Sequence, residues 1–208
     1  GKKILKTGAP GSLGKQLIYE FNRRGCHPIA HVRENSDTTF IDSLGLQKRV
    51  ADLRNREQLA ALVDGVDGVI HTAAWVSFRQ DRLTQFTGIN TFAAVELFKA
   101  AQKAGVQRFV HVSSVVSVGA IRRTNGEEAS RQIGTIPQRV SEADEFNLGH
   151  LRIPYIMSKH AADVELRKLA ANGTTELVTV NPSIIVAPSR TGDDRAKALK
   201  MFSRIALP

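Results

Sequence analysis

The strongest constraint in the sequence is an alternation. Short β-branched or apolar runs take turns with longer stretches of helical periodicity, the pattern of βαβ units feeding a parallel sheet. The runs lie at residues 3–7, 28–32, 49–51, 68–72, 108–113 and 177–181. Between the first two, Leu13, Leu17, Ile18 and Phe21 recur at 3.6-residue spacing, and Arg23-Arg24-Gly25 closes the stretch with cations and a glycine suited to positive φ, so a helix is expected over residues 12–24. A second is expected over 56–63, entered through the cap residue Asn55 and left at Asp64-Gly65. A third covers 83–104, with Phe92, Val95, Leu97, Phe98 and Ala101 as apolar surface. A fourth starts at Pro154-Tyr155 and carries Met157, Ala161, Val164, Leu166 and Leu169 to Asn172-Gly173. Right-handed crossovers then give an α/β fold: a doubly wound, Rossmann-like parallel sheet with helices on both faces. Residues 121–153 show no clear periodicity, and a loop of that length is usually functional.

Composition narrows the class. With 208 residues, 42% hydrophobic and 24% charged, the chain is long enough for a substantial core and falls outside the disordered, collagen-like and coiled-coil ranges. Cys26 is the lone cysteine, so no internal disulfide can form, and a reducing, cytoplasmic setting is the simplest. No apolar run approaches the ~20 residues that span a bilayer, and Gly1-Lys2-Lys3-Ile4-Leu5 lacks the apolar stretch of a signal peptide, so no membrane partner is expected. The net charge of +9 comes from basic residues scattered from Lys2 to Arg204 without a dense block. That describes a solvated surface better than a nucleic-acid face. The six histidines show no spacing with Cys or acidic residues that would make a ligand set, so no metal site is expected.

The first run leads straight into Thr7-Gly8-Ala9-Pro10-Gly11-Ser12-Leu13-Gly14 and then into a helix. Glycines in a strand-to-helix turn let the backbone pass close to a pyrophosphate, and the free N–H groups and dipole of the helix start favour the anion. Gly8, Gly11, Ser12, Leu13 and Gly14 are therefore candidate cofactor-binding residues, although the spacing is G-x-x-G-x-x-G rather than the commoner G-x-G-x-x-G, and Pro10 removes one donor. At the end of the second strand an acidic residue binds the ribose 2′-OH, whereas an arginine accommodates a 2′-phosphate. Here the run ends His31-Val32-Arg33-Glu34: Arg33 favours NADP, and Glu34 keeps NAD open.

The ordered set Thr7-Gly8-x-x-Gly11-x-x-Gly14, Asp52-Leu53, His71-Thr72-Ala73-Ala74, Asn90, Ser113-Ser114, Tyr155-x-x-x-Lys159 and Asn181-Pro182-Ser183 resembles the extended branch of the short-chain dehydrogenase/reductase superfamily, the NAD(P)-dependent epimerase/dehydratase type. Val32-Arg33 and Ser141-Glu142-Ala143-Asp144 look most like its dihydroflavonol reductase-like group. The resemblance implies that Asp52 and Leu53 contact the adenine, Ala73 and Ala74 line the cofactor channel, and Pro182, Ser183 and Ile184 pack by the nicotinamide. It also implies a homodimer through the third helix and the one that begins at Tyr155.

Tyr155 and Lys159 stand four apart on an expected helix, hence on one face, where an ammonium can stabilise a phenolate and lower its pKa. In the reading the resemblance implies, Ser114 donates to the substrate oxygen, Tyr155 transfers the proton, and Lys159 also holds the nicotinamide ribose. A one-residue slip would exchange Ser113 for Ser114. Asn90 either satisfies helix backbone or orders water or cofactor. Trp75 and Phe78 line either a pocket or the core, His71 reads as a strand-end packing residue, and Arg122, Arg123, Arg131 and Arg139 belong to a charged loop near substrate. Lys6 departs from the usual apolar residue in the first strand: it is expected either to be solvated near the strand end or to perturb the strand. Ala187-Pro188 stands where relatives often have Gly-Pro. The expected activity is that of an NADP-dependent oxidoreductase moving a hydride between nicotinamide and a small-molecule carbonyl or alcohol. The alternatives are a nucleotide-sugar epimerase or dehydratase and a non-catalytic dinucleotide-binding regulator. Residues 1–190 would form the dinucleotide-binding domain with the catalytic residues, and 191–208 the start of an incomplete substrate-binding region.

Overall fold

The six apolar runs become six strands. A computed structural model describes residues 1–77, 83–120 and 140–185. Strands β1 (Ile4–Thr7), β2 (Ile29–Val32), β3 (Lys48–Val50), β4 (Gly68–His71), β5 (Arg108–Val112) and β6 (Glu176–Val180) form one parallel sheet in the order β3-β2-β1-β4-β5-β6. The order reverses between β1 and β4, which opens a crevice beyond the carboxyl ends of those strands, the place where open α/β sheets hold ligands.

Helices α1 (Ser12–Arg23), α2 (Thr39–Ser43), α3 (Arg56–Val63), α4 (Leu83–Phe86), α5 (Ala93–Lys103), α6 (Val115–Val118) and α7 (Pro154–Ala170) fill the connections. The expected starts hold for physical reasons. Asn55 caps α3 by accepting from the Glu57 N–H, Pro154 stands in the first turn of α7 where no N–H is needed, and Gly25, with φ +67°, follows the last turn of α1. The expected single helix over 83–104 is instead α4 and α5 joined by a π-helical turn, Thr87–Phe92. The wider turn brings Asn90 inward to hydrogen-bond the backbone of Trp75. Helices α2 and α6 escape sequence reading because five and four residues are too short to show a period.

Both faces are covered, with separate cores. On one, the rung Ile29, Leu5, Val69, Phe109 and Leu177 packs against Leu59 and Leu62 of α3, Leu97 and Phe98 of α5 and Leu166 of α7. Burying each such large side chain contributes roughly 1.5–3 kcal/mol. On the other, Ala30 and Val32 meet Ile18 of α1 and Ile41 of α2. Two residues further along the first face the sheet turns polar: Thr7, His71, His111 and Thr179 share one rung, His71 stacks on His111, and Thr7 Oγ1 bonds His71 Nδ1 at 2.8 Å.

Lys6 is not solvated. It is wholly buried in β1, which stays regular, and its Nζ donates to Thr7 O (2.6 Å) and Thr72 Oγ1 (2.5 Å). Two close oxygens replace the water it lost, yet burial still brings its ammonium down to about 7. Among the described residues, no helix is long and apolar enough to cross a membrane.

Candidate active site

The glycine turn follows from the ending of β1. Gly8 adopts φ +67°, and a Cβ there would stand 2.9 Å from both Ala73 N and Thr72 Oγ1. A Cβ at Gly14 would run into the carbonyl oxygens of Gly8 and Ala9. The turn closes through the Gly11 N–H on Gly8 O (3.1 Å), so Pro10 costs it no bond. Helix α1 starts from Gly11 without a side-chain cap, which leaves the N–H groups of its first turn, Ser12 to Gly14, for an anion. A cradle that side chains would fill, ending in an uncapped helix, fits a pyrophosphate.

Beside it, the turn from β5 into α6 carries Ser114, and α7 carries Tyr155 and Lys159. Ser114 is half-buried, and its hydroxyl lies near enough to the Tyr155 phenol to pull its pKa down. Ser113 instead is buried and donates to Asp163 Oδ2 (2.7 Å), so of the two serines Ser114 is the one that meets the tyrosine. Lys159 is buried one turn after Tyr155, but its Nζ donates to Val112 O at 2.9 Å. This corrects the expected electrostatics. With the ammonium turned to a carbonyl, burial governs the Tyr155 phenol and pushes it above its ordinary value, with the nearby Ser114 hydroxyl opposing. Burial also lowers Lys159 to about 8, against the pull of Asp163.

Asn90 has its amide engaged within the protein: Oδ1 accepts from Trp75 N (2.7 Å), and Nδ2 donates to Trp75 O and Ser158 Oγ, each at 3.0 Å. It ties the segment after β4 to α7, the backbone-satisfying part of the two roles open to it. Half-buried Trp75 has no partner for Nε1 among the described residues, and His71 sits in the polar rung as a packing residue.

The remaining expected contacts fall at the carboxyl ends of the strands. Arg33 is exposed just after β2, and no ion pair among the described residues occupies it. Past β3, Arg54 grips both carboxylate oxygens of Asp52 and holds that carboxyl at about 2, with Arg33 adding a smaller pull. Leu53 is buried in the core, so its backbone is what it can offer a ligand. Ala73 lies against Gly8, and Ala74 is exposed one residue on. Pro182 O accepts from Val115 N (3.1 Å), which holds Pro182 next to the Ser114 turn, while Ser183 and Ile184 are exposed. Phe78, Arg122, Arg123, Arg131, Arg139, Ala187, Pro188 and residues 191–208 lie outside the described residues.

Sequence reasoning missed Asp163, Ser117 and Ser158. Only Asp163 had a signal, its place one helical turn after Lys159 on α7; Ser117 and Ser158 had none.

Among curated proteins, the chain is 31% identical over 184 residues to sterol demethylase protein B of Methylococcus capsulatus, covering 88% of this chain and 52% of that protein. It is 29% identical over 182 residues to a dihydroflavonol 4-reductase assignment from Synechocystis, covering 88% and 49%. The chain thus spans about half the length of these relatives. Among solved structures, UDP-glucose-4-epimerase from Stenotrophomonas maltophila, with bound NAD and formylated UDP-arabinopyranose, superposes with a TM-score of 0.70 at 25% identity, covering 87% of this chain and 52% of that one. The model of the NAD dependent epimerase/dehydratase family matches residues 4–207. With the strand order, the glycine turn and the Tyr155–Lys159 helix in place, the chain belongs to that family, within the extended short-chain dehydrogenase/reductases.

Proposed function

We propose that this chain is the cofactor-binding and catalytic part of an NADP-dependent reductase acting on a small carbonyl compound. The observation that carries the reading is the meeting of Ser114, at the carboxyl end of β5, with the Tyr155 phenol of α7, on the same edge of the sheet as the glycine turn that follows β1. Burial keeps the Tyr155 phenol protonated, and a protonated phenol is a proton donor, which is what a carbonyl oxygen needs as its carbon is reduced. Ser114 shares the oxygen with Tyr155 and orients it, and Lys159 adds positive charge one turn away. A bound nicotinamide dinucleotide would supply the hydride. Gly8, Gly11 and Gly14 admit its pyrophosphate, and Arg33 is the group for a 2′-phosphate.

A sugar-nucleotide epimerase or dehydratase using NAD is the second reading, favoured by the Stenotrophomonas neighbour and by Glu34 beside Arg33. Consumption of NADPH separates the two, since a reductase oxidises it stoichiometrically while an epimerase returns the hydride within each turnover. A homodimer through α7 and α5 with the π-helical turn before it, where Met157 and Phe92 are partly exposed, accompanies both readings and is checked by sedimentation.

Tyr155→Phe should lower turnover about 100- to 10,000-fold while dinucleotide affinity stays within a few fold. Near-normal turnover in that variant, measured across a panel of carbonyl and sugar-nucleotide substrates, would sink the reading. Arg33→Ala should weaken NADPH much more than NADH in a fluorescence titration, and equal losses would remove the case for NADP.

A further inference from the structure

The chemistry assigned to Ser114, Tyr155 and Lys159 leaves one buried group without a role. Asp163 is the one carboxylate among the buried described residues, in a set that also holds Lys6, Lys159, His31, His71 and His111. It follows Lys159 by one helical turn and Tyr155 by two, so the three share a face of α7. Its Oδ2 accepts from Ser113 Oγ (2.7 Å), just before Ser114, and from Ser117 Oγ (2.5 Å), in helix α6 just after it. Among the described residues its Oδ1 has no hydrogen-bond partner, with His111 Nε2 3.4 Å away and not aligned for one. A buried carboxylate that accepts only from neutral hydroxyls is poorly compensated, and the Lys159 ammonium one turn back, bonded to Val112 O and in no ion pair with Asp163, acts on it through space.

We propose that Asp163 is a positioning residue for this site: it locks the turn on both sides of Ser114 against α7 and supplies the counter-charge that holds Lys159 as an ammonium. The inference rests on the roles given above to Ser114, Tyr155 and Lys159. Among the buried described residues no other group carries a negative charge. His111 on β5 and His71 on β4 are held neutral, mainly by burial. Helix α6 carries no titratable group. Arg167 turns its Nε to the Asp163 backbone carbonyl (3.3 Å), and His160 bonds Ser117 O (2.9 Å). Glu142 and Asp144 line the same cavity of about 200 Å³ as Asp163, and both would oppose a second carboxylate. Asp163 itself is pushed up by burial, but the His111, Ser117 and Ser113 contacts outweigh this and leave it ionised.

The test is a ¹³C-lysine side-chain NMR titration of the full chain, with the Lys159 signal assigned from its loss in Lys159→Arg. Asp163→Asn should lower the Lys159 midpoint by about one unit, a tenfold weaker hold on the proton. An unchanged midpoint overturns the proposal. Asp163→Glu keeps the charge and should leave the midpoint in place; a fall there also overturns it, and this variant covers the case in which the asparagine form fails to fold. The clamp is read separately. The chain has two tyrosines, so Tyr19→Phe leaves Tyr155 alone, and ultraviolet titration follows its ionisation. Adding Ser117→Ala should loosen Ser114 and move the Tyr155 midpoint upward, and a midpoint that stays or falls refutes the clamp. Both titrations are made without substrate, so they judge Asp163 even where no carbonyl compound is turned over. In turnover, Asp163→Asn should carry the alkaline limb of kcat to lower pH by the same interval, whereas a merely structural defect lowers kcat alike at every pH.

Discussion

Replacing Lys6 with methionine keeps the length of the side chain and removes an ammonium buried in β1. Burial brings that group to about 7 in the folded chain, from its ordinary 10.5 when exposed. The folded value lies below the unfolded one, so between those pH values the unfolded chain binds the extra proton and stability rises with pH. Below pH 7 both states are protonated, and the folded chain carries the whole desolvation penalty. Between pH 6.5 and 9.5 this linkage amounts to about 3 kcal/mol, at about 1.4 kcal/mol per unit. Every other titrating group is common to wild type and Lys6→Met, so the difference between their unfolding free energies isolates Lys6. That difference, wild type minus variant, should climb by about 3 kcal/mol across the interval. The lost donations to Thr7 O and Thr72 Oγ1, about 1 kcal/mol each, shift the curve without tilting it. Urea denaturation followed by circular dichroism at half-unit steps measures it, with the urea dependence checked for constancy. A flat or falling difference refutes the reasoning, because it would mean that Lys6 stays charged and solvated in the folded chain.

Two further outcomes are expected. Gly14→Ala places a Cβ against the Gly8 and Ala9 carbonyls, so α1 must move off the turn. Calorimetry should show dinucleotide Kd weakened tenfold or more, with about 1–3 kcal/mol of lost stability, and an unchanged Kd would show that the turn does not set binding. Asn90→Ala leaves the Trp75 N–H and C=O and the Ser158 hydroxyl without this partner, which should cost about 1–3 kcal/mol in urea denaturation. A loss within experimental error would show that water replaces the amide.

The fold was legible because strand and helix periods differ and because turn chemistry marks the joints: Asn55 before α3, Pro154 opening α7 and Gly25 after α1 each act where local chemistry says they should. The glycine turn and the Tyr155–Lys159 pair were legible for the same reason, as local patterns in a strand-turn-helix order. What stayed hidden depends on contacts between elements. Asp163 reads on its own helix as one more surface acid, and only the approach of the β5–α6 turn buries it. Lys159 was expected to act on Tyr155, but spacing along a helix cannot show that the ammonium turns to Val112 O. Lys6 was misread because its two oxygen partners come from its own strand end and from Thr72, 66 residues away. The π-helical turn has no sequence period of its own, and it is needed to bring Asn90 to Trp75.

The polar rung has a consequence for how the strands find their pairing. A slip of one residue turns every side chain to the opposite face and is excluded by burial. A slip of two keeps the faces and is the error that an alternating apolar pattern tolerates best. In this sheet, sliding β4 two places along β5 would set His71 beside Phe109 and separate its ring from His111, and the same slide of β1 along β4 would part Thr7 from His71. Every strand but β3 thus carries an apolar mark and, two residues on, a polar one, and only one alignment matches both. The row of histidines works as a vernier on the sheet, fixing where the strand ends fall and with them the height of the Ser114 turn above the glycine loop.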